Sequence, residues 1–263
     1  MLGAISGDII GSRFEAWPVR SKDFELFTNQ SRFTDDSVLT IALADSLLHN
    51  VPYGQNLKAF FTRYPHAGYG GTFAIWAASN QADPYYSFGN GSAMRVSPVG
   101  WFFNEEQLVL DQAKASAAVT HDHPEGIKGA QAVALGVFLA RQGTGKSDIQ
   151  DHIQTRFGYD LSTSLDQIRP SYSFDVTCQG SVPQAIRAFL ESADFEDAIR
   201  NAVSLGGDSD TQACMAGALA EAFYGGLPQD IARESLSRMD EFLRGIVYDF
   251  YASIIPDQEL PSI

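Results

Sequence analysis

A chain of 263 residues, 44% hydrophobic and 12% aromatic, carries enough apolar material for one substantial core and reads as a single globular domain over 1–263. Eighteen Lys and Arg against 32 Asp and Glu leave a formal charge of -14, whose field repels phosphate backbones and anionic membranes and so disfavours non-specific binding to either. Cys178 and Cys214 are the only cysteines and form no CxxC, which excludes a disulfide framework and a zinc site; two reduced core thiols are expected.

In chain order, Leu2 to Glu15 sets Leu2, Ile5, Ile9 and Ile10 among Gly, Ala and Ser and predicts a closely packed helix. No basic residue leads it and Asp8 interrupts it, which does not fit a signal peptide. No uncharged apolar run approaches the ~20 residues that span a bilayer, so a cytoplasmic protein is expected. Pro18 closes the segment, and a polar stretch runs to Gln30. After Thr34 to Ser37, Val38, Ile41, Ala42 and Leu48 fall in helical rhythm with Leu39, Leu43 and Leu47, an apolar helix that belongs inside the fold. Asn56 to Arg63 and Thr72 to Asn80 predict helices around a glycine-bearing loop, Tyr64 to Gly71. Asp83 to Gly91 is a second loop, rich in aromatics, and Pro98 splits Ala93 to Phe103 into two short pieces.

Glu105 to Thr120 and Pro124 to Gln142 are long helical patterns, the second with Pro at its first turn. Lys146 to Phe157, Ser181 to Leu190, Phe195 to Ser204 and Pro228 to Phe250 complete the helical set. Tyr172 to Cys178 is the one weak strand candidate. The fold class is therefore all-α, one domain of roughly a dozen helices. Gly143 to Ser147 has the look of a phosphate-binding P-loop, but its first glycine position falls on Ala140 inside a helix and no strand precedes it, so it reads as a helix-to-helix turn capped by Ser147.

The chemistry concentrates in two short stretches. Leu205 to Thr211, L-G-G-D-S-D-T, joins two glycines to two carboxylates and two hydroxyls before a helix of small residues, and Thr34 to Ser37, T-D-D-S, has the same make-up in nearly reversed order. Taken singly, each is the common arrangement of an N-cap with acids in the first turn. Taken together, each opening a helix expected to be buried, they place four carboxylates where unpaired charge is costly and where two divalent cations would balance it. Neighbouring side chains on a helix diverge by about 100 degrees, so Asp35 and Asp36 would serve two adjacent ions rather than one. All-oxygen ligation favours Mg²⁺ or Mn²⁺ over zinc. The small residues after Thr211 are expected to let that helix pack close to the helix of Asp36.

These motifs resemble those of the ADP-ribosylglycohydrolase family, which includes dinitrogenase reductase-activating glycohydrolases and vertebrate ADP-ribosyl-acceptor hydrolases. The likeness runs over almost the whole chain in family order: G-D-I-I-G-S-R-F-E from Gly7, T-D-D-S from Thr34, G-N-G-S-A-M-R from Gly89, T-H from Thr120 and G-G-D-S-D-T from Gly206. The resemblance implies a centre of two Mg²⁺ or Mn²⁺ ions held by Thr34, Asp35, Asp36, Asp208, Asp210 and Thr211, and cleavage at the ribose carbon C1″ of ADP-ribose adducts. It implies catalytic work for Glu15 and Asp36, although a glutamate after a helix is by itself as readily a solvated charge. It also implies a loop of Ser87, Phe88, Gly89, Asn90 and Gly91 that grips the nucleotide, with Phe88 able to stack on the base, and a substrate contact from His121.

The expected activity is metal-dependent hydrolysis of an ADP-ribose conjugate. The rivals are a silent ADP-ribose-binding module and a dinuclear phosphohydrolase acting on the pyrophosphate. The matched motifs address the ADP-ribose half, and the acceptor side falls to loops Trp17 to Gln30 and Tyr64 to Gly71.

Overall fold

A computed structural model of the chain describes residues 1–255, 260 and 261. Small residues at four-residue spacing make the first helix, α1 (Leu2–Gly11), thin enough to be buried over its whole length. It stops at Gly11 rather than Glu15, because the Ser12 hydroxyl donates back to the Ile9 carbonyl (2.9 Å) and the chain turns out of the helix. Glu15 is thereby placed in a turn. The next helix, α2 (Asp35–His49), starts where Thr34, in extended conformation, accepts the Asp36 amide, and it ends at Asn50, whose φ of 54° is left-handed.

Next come α3 (Tyr53–Arg63), α4 (Gly71–Ala78), the single turn α5 (Gly91–Met94), α6 (Ser97–Phe102), α7 (Glu106–Ala118), α8 (Pro124–Arg141) and α9 (Lys146–Phe157). After α10 (Leu165–Ile168), closed by a Ser164 and Gln167 capping box, follow α11 (Cys178–Leu190), α12 (Phe195–Val203), α13 (Ser209–Tyr224), α14 (Gln229–Ser237) and α15 (Glu241–Ile254). Fifteen helices and one isolated bridge, Gly89 with Thr177, make the described residues all-α as expected. None of these helices is long and apolar enough to cross a membrane.

Three segments differ from expectation for local reasons. Pro228 to Phe250 is two helices, because Asp240 turns extended and accepts the Leu243 amide (3.0 Å), starting α15 afresh. Tyr172 to Cys178 forms no strand, since its only partner is the short loop at Gly89. In the turn before α9 the cap is Gly145, not Ser147, and Lys146 donates to the carbonyls of Phe189 and Ser192 and to the Tyr224 hydroxyl, leaving it no role toward phosphate.

The centre of the molecule is the crossing of α1 and α13, the most extensive helix pair. A Cβ on Gly7 would stand 2.0 Å from the Ala213 carbonyl oxygen, and one on Gly217 2.2 Å from that of Gly3. The small residues of α13 therefore serve contact with α1, not chiefly with the Asp36 helix, and backbone meets backbone. The buried start of α1 is satisfied from other helices: the Gly3 amide donates to Glu221 (2.8 Å), the Leu2 amide to the Tyr251 hydroxyl (2.8 Å), and that hydroxyl to Glu221. Helices α2, α8, α11 and α12 surround this pair, and one continuous cluster of buried apolar side chains runs from Met1 to Tyr251. Cys178 and Cys214 are both free and buried within it.

Candidate active site

Because Gly11 packs against Ser209 and Asp210, the end of α1 meets the start of α13, and α2 begins beside both. Carboxylates 200 residues apart in the chain thus share one spot. One oxygen each of Asp8, Asp36 and Asp210 lie within 4.8 Å of one another, and so do those of Glu15, Asp208 and Asp210. Asp210 belongs to both groups. Asp36 and Thr211 touch directly, the Thr211 hydroxyl donating to Asp36 Oδ2 at 3.3 Å. Asp35 diverges from Asp36 as helix geometry requires: its amide donates to the Ala67 carbonyl (2.9 Å), and its side chain faces Gly68 on the opposite rim.

Asp8 has a different task from its neighbours. It accepts the Thr34 hydroxyl (2.7 Å), the Thr34 amide (2.9 Å), the Ser37 amide (3.1 Å) and the Ser37 hydroxyl. These four donors saturate the carboxylate. It caps the start of α2 from another helix and fixes the direction of the T-D-D-S motif. Thr34 spends its single proton on Asp8, so its oxygen is left as an acceptor.

Among the described residues none of these six acids forms an ion pair, and Asp36 Oδ1 is buried with no hydrogen-bond partner. Burial pushes each carboxyl above the ordinary range, reinforced by neighbouring acids at Asp35, Asp36, Asp208 and Asp210 and opposed at Asp8 by the Thr34 and Ser37 hydrogen bonds. Asp8 rises to about 6 and Asp35 to about 7, while Asp36 and Asp210 rise well up and Asp208 in the same direction. Glu15 is also raised, by partial burial and by Asp208, with Arg32 opposing. A cluster of this kind retains its protons or takes up a cation. The orphaned Asp36 oxygen and an all-oxygen donor set fit a hard divalent ion.

The acids floor a cavity of about 380 Å³. Glu15, Arg32, Thr34, Asp35, Asp36, Asp208, Asp210 and Thr211 line it together with Ser87, Gly89, Asn90, Gly91 and His121. Phe88 is not on this wall. Its half-exposed ring lies against His123, centroids 5.2 Å apart, while Phe174 and Val176 complete the lining. The loop is held rigidly: the Gly89 amide donates to Ser87 Oγ (3.1 Å), the Asn90 amide to the Val176 carbonyl (2.8 Å), and the Cys178 amide to the Phe88 carbonyl (2.9 Å). With the Ser87 amide donating to the Thr120 carbonyl (3.4 Å), three loop amides are already used. Asn90 reaches across the cavity floor instead, its side-chain nitrogen donating to Asp208 Oδ2 at 2.7 Å and to Ser181 Oγ at 3.2 Å. His123 caps α8 by accepting the Glu125 amide (3.0 Å).

The family model for ADP-ribosylglycohydrolase matches residues 1–258. The chain belongs to the ADP-ribosylglycohydrolase family. Among its relatives, ADP-ribosylhydrolase ARH3 of Homo sapiens is 28% identical over 305 residues, covering 86% of this chain and 84% of that protein. The zebrafish (Danio rerio) ADP-ribosylhydrolase ARH3 is 26% identical over 332 residues, 95% of this chain and 89% of its own. The ADP-ribosylarginine hydrolase Tri1 of Pseudomonas putida is 27% identical over 273 residues, 88% and 71%. A solved structure described as an ADP-ribosylglycohydrolase-related protein complex superposes with a TM-score of 0.69 at 24% identity, covering 97% of each chain, which establishes the same fold. As a family member the chain is a hydrolase of ADP-ribose linkages in the general sense.

Within this family fold, sequence reasoning missed Asp8, Phe174 and Val176 as parts of the site. Asp8 is a lone acid in an apolar segment, and a buried carboxylate with no local partner was the signal available. Phe174 and Val176 sit in an irregular segment and carried none.

Proposed function

We propose that this chain is a metal-dependent hydrolase that cleaves the C1″ glycosidic or ester linkage joining ADP-ribose to an acceptor. The observation that carries the reading is the carboxylate cluster without ion pairs, with Asp36 Oδ1 unpartnered, at the floor of a cavity walled by the Ser87 to Gly91 loop. Thr34, Asp35, Asp36, Asp208, Asp210 and Thr211 would hold two Mg²⁺ or Mn²⁺ ions, with Asp8 and Asn90 orienting them from outside. Bound divalent ions supply charge neutralisation and Lewis acidity at the ribose hydroxyls or water beside C1″.

The chain's own groups account for the rest. Glu15 stands at the cavity mouth with its carboxyl raised above the ordinary range by partial burial and Asp208, able to take a proton from an attacking water and return it to the leaving acceptor. Asp36, buried behind it, is the second catalytic carboxylate. The rigid loop and His121 hold the nucleotide, and Phe174 and Val176 offer the apolar surface for its base. Gly68, Gly70 and Gly71 line the cavity beside Asp35, where the acceptor would leave.

The test is a panel of ADP-ribose conjugates differing only in linkage, assayed after chelation and after adding back Mg²⁺ or Mn²⁺. Free ADP-ribose as product, lost on chelation and restored by metal, is expected. Release of AMP would assign the cut to the pyrophosphate, binding without product would assign a silent module, and full activity in metal-free protein would overturn the metal role.

A further inference from the structure

Arg95 is fully buried, yet among the described residues no carboxylate pairs with it; one of its terminal nitrogens donates to the Ser116 carbonyl (3.0 Å) and to the Thr120 hydroxyl oxygen (2.9 Å). Its Nε and other terminal nitrogen have no hydrogen-bond partner among the described residues. A guanidinium is a donor only, so Thr120 must accept from it. The same Thr120 oxygen lies 2.7 Å from Nδ1 of His121. The imidazole lies tilted against Tyr85, ring centroids 5.9 Å apart, and its far edge lines the cavity, where a Cβ added to Gly91 would stand 3.2 Å from Nε2.

The geometry points to Arg95 and Thr120 as positioning residues that fix His121 in the tautomer carrying its proton on Nε2, so that an N–H donor faces a phosphate or ribose oxygen of the ligand. Thr120 has one proton and is fully buried. With Arg95 donating to it, its own O–H finds an acceptor in Nδ1, so the Thr120 hydroxyl both accepts and donates. The reverse tautomer would make Thr120 accept from both Arg95 and His121 and leave its buried O–H only the neighbouring Tyr85 hydroxyl as acceptor, the less favourable arrangement beside an imidazole nitrogen at 2.7 Å. Burial and the Arg95 charge also keep the ring neutral, so it presents one defined donor rather than a second cation. Glycine at 91 gives that donor access to the cavity. The Arg95 charge, beside His121, further favours an anionic ligand along the loop.

The tautomer follows from geometry alone; its meeting a nucleotide oxygen rests on the ADP-ribose reading. The experiment is long-range ¹H–¹⁵N correlation NMR of ¹⁵N-histidine-labelled protein near neutral pH, with the His121 ring assigned by its loss in His121→Gln. The expected spectrum shows a neutral ring protonated at Nε2. In Thr120→Val this preference should be lost and ADP-ribose affinity should fall by about tenfold, the scale of one hydrogen bond, with metal affinity unchanged. Thr120→Ser should restore both. A wild-type ring protonated at Nδ1, or a Thr120→Val protein with unaltered tautomer and affinity, would overturn the proposal. Should Thr120→Val not fold, the wild-type spectrum and Thr120→Ser still decide it. If ADP-ribose binds to none of these proteins while His121 carries its proton on Nε2, the nucleotide reading of the cavity falls and the relay stands.

Discussion

At the scale of single residues, the site separates groups that act on substrate from groups that act on other groups. Glu15 is exposed at the cavity mouth and, among the described residues, its carboxyl forms no hydrogen bond that would commit it, whereas Asn90 is buried and spends its amide on Asp208 and Ser181. The two should fail differently. Glu15→Gln removes a proton carrier without removing the four acids proposed as metal ligands, so turnover should drop by ~10²–10⁴-fold with metal affinity retained; a variant at full turnover would remove Glu15 from the mechanism. Asn90→Ala leaves Asp208 free to swing, and loss of such an orienting partner costs ~10–100-fold in metal affinity or activity. Isothermal titration with Mn²⁺ would read this directly, and wild-type affinity in Asn90→Ala would return Asn90 to the role of a nucleotide contact alone.

At the scale of elements, the decisive contact is the glycine crossing of α1 and α13, because it sets the distance between Asp8 and Asp210. A methyl on Gly7 meets backbone atoms of Ala213 and Cys214, which cannot rotate away, while one on Gly245 in α15 meets nothing within 4 Å. Gly7→Ala is therefore expected to destabilise by about 3 kcal/mol, at the upper end of overpacking costs. Gly245→Ala should be neutral or gain about 0.5–1 kcal/mol through helix propensity. Denaturant midpoints for the pair check this, and equal midpoints would refute the close crossing. The same crossing shows what the sequence could and could not disclose. Helix α9 is legible to the residue, since Ile149 and Ile153 face the core at regular spacing, and the two acid motifs are legible because each precedes a helix. Asp8 is not legible, because its meaning comes from donors at Thr34 and Ser37, 26 and 29 residues away, brought to it only by helix packing. The wall at Phe174 likewise depends on an irregular segment anchored by one bridge to Gly89. Long-range placement of this sort leaves no periodicity to read.

At the scale of the whole molecule, an acidic protein places its densest carboxylate cluster at its centre, and folding must carry that charge. Asp35, with an ordinary value of 3.8, rises to about 7 in the folded protein, and Asp8 rises to about 6; burial is the main cause for both. A carboxyl with a raised folded value binds more protons folded than unfolded, so its stabilising effect is complete below about 4 and is lost as the pH climbs through about 7. Metal-free protein should therefore lose stability between pH 5 and pH 8, and Asp35→Asn, which removes one of these titrations, should lose less. Divalent cations bind the ionised acids and only the folded chain assembles them, so Mg²⁺ or Mn²⁺ should raise the melting temperature more at pH 8 than at pH 5. Thermal unfolding of wild type and Asp35→Asn across this range, with and without metal, tests the account. A metal-free protein that grows more stable from pH 5 to pH 8, with no greater rescue by metal at the higher pH, would mean that the cluster is offset by some other charge and would remove the electrostatic case for a cation centre.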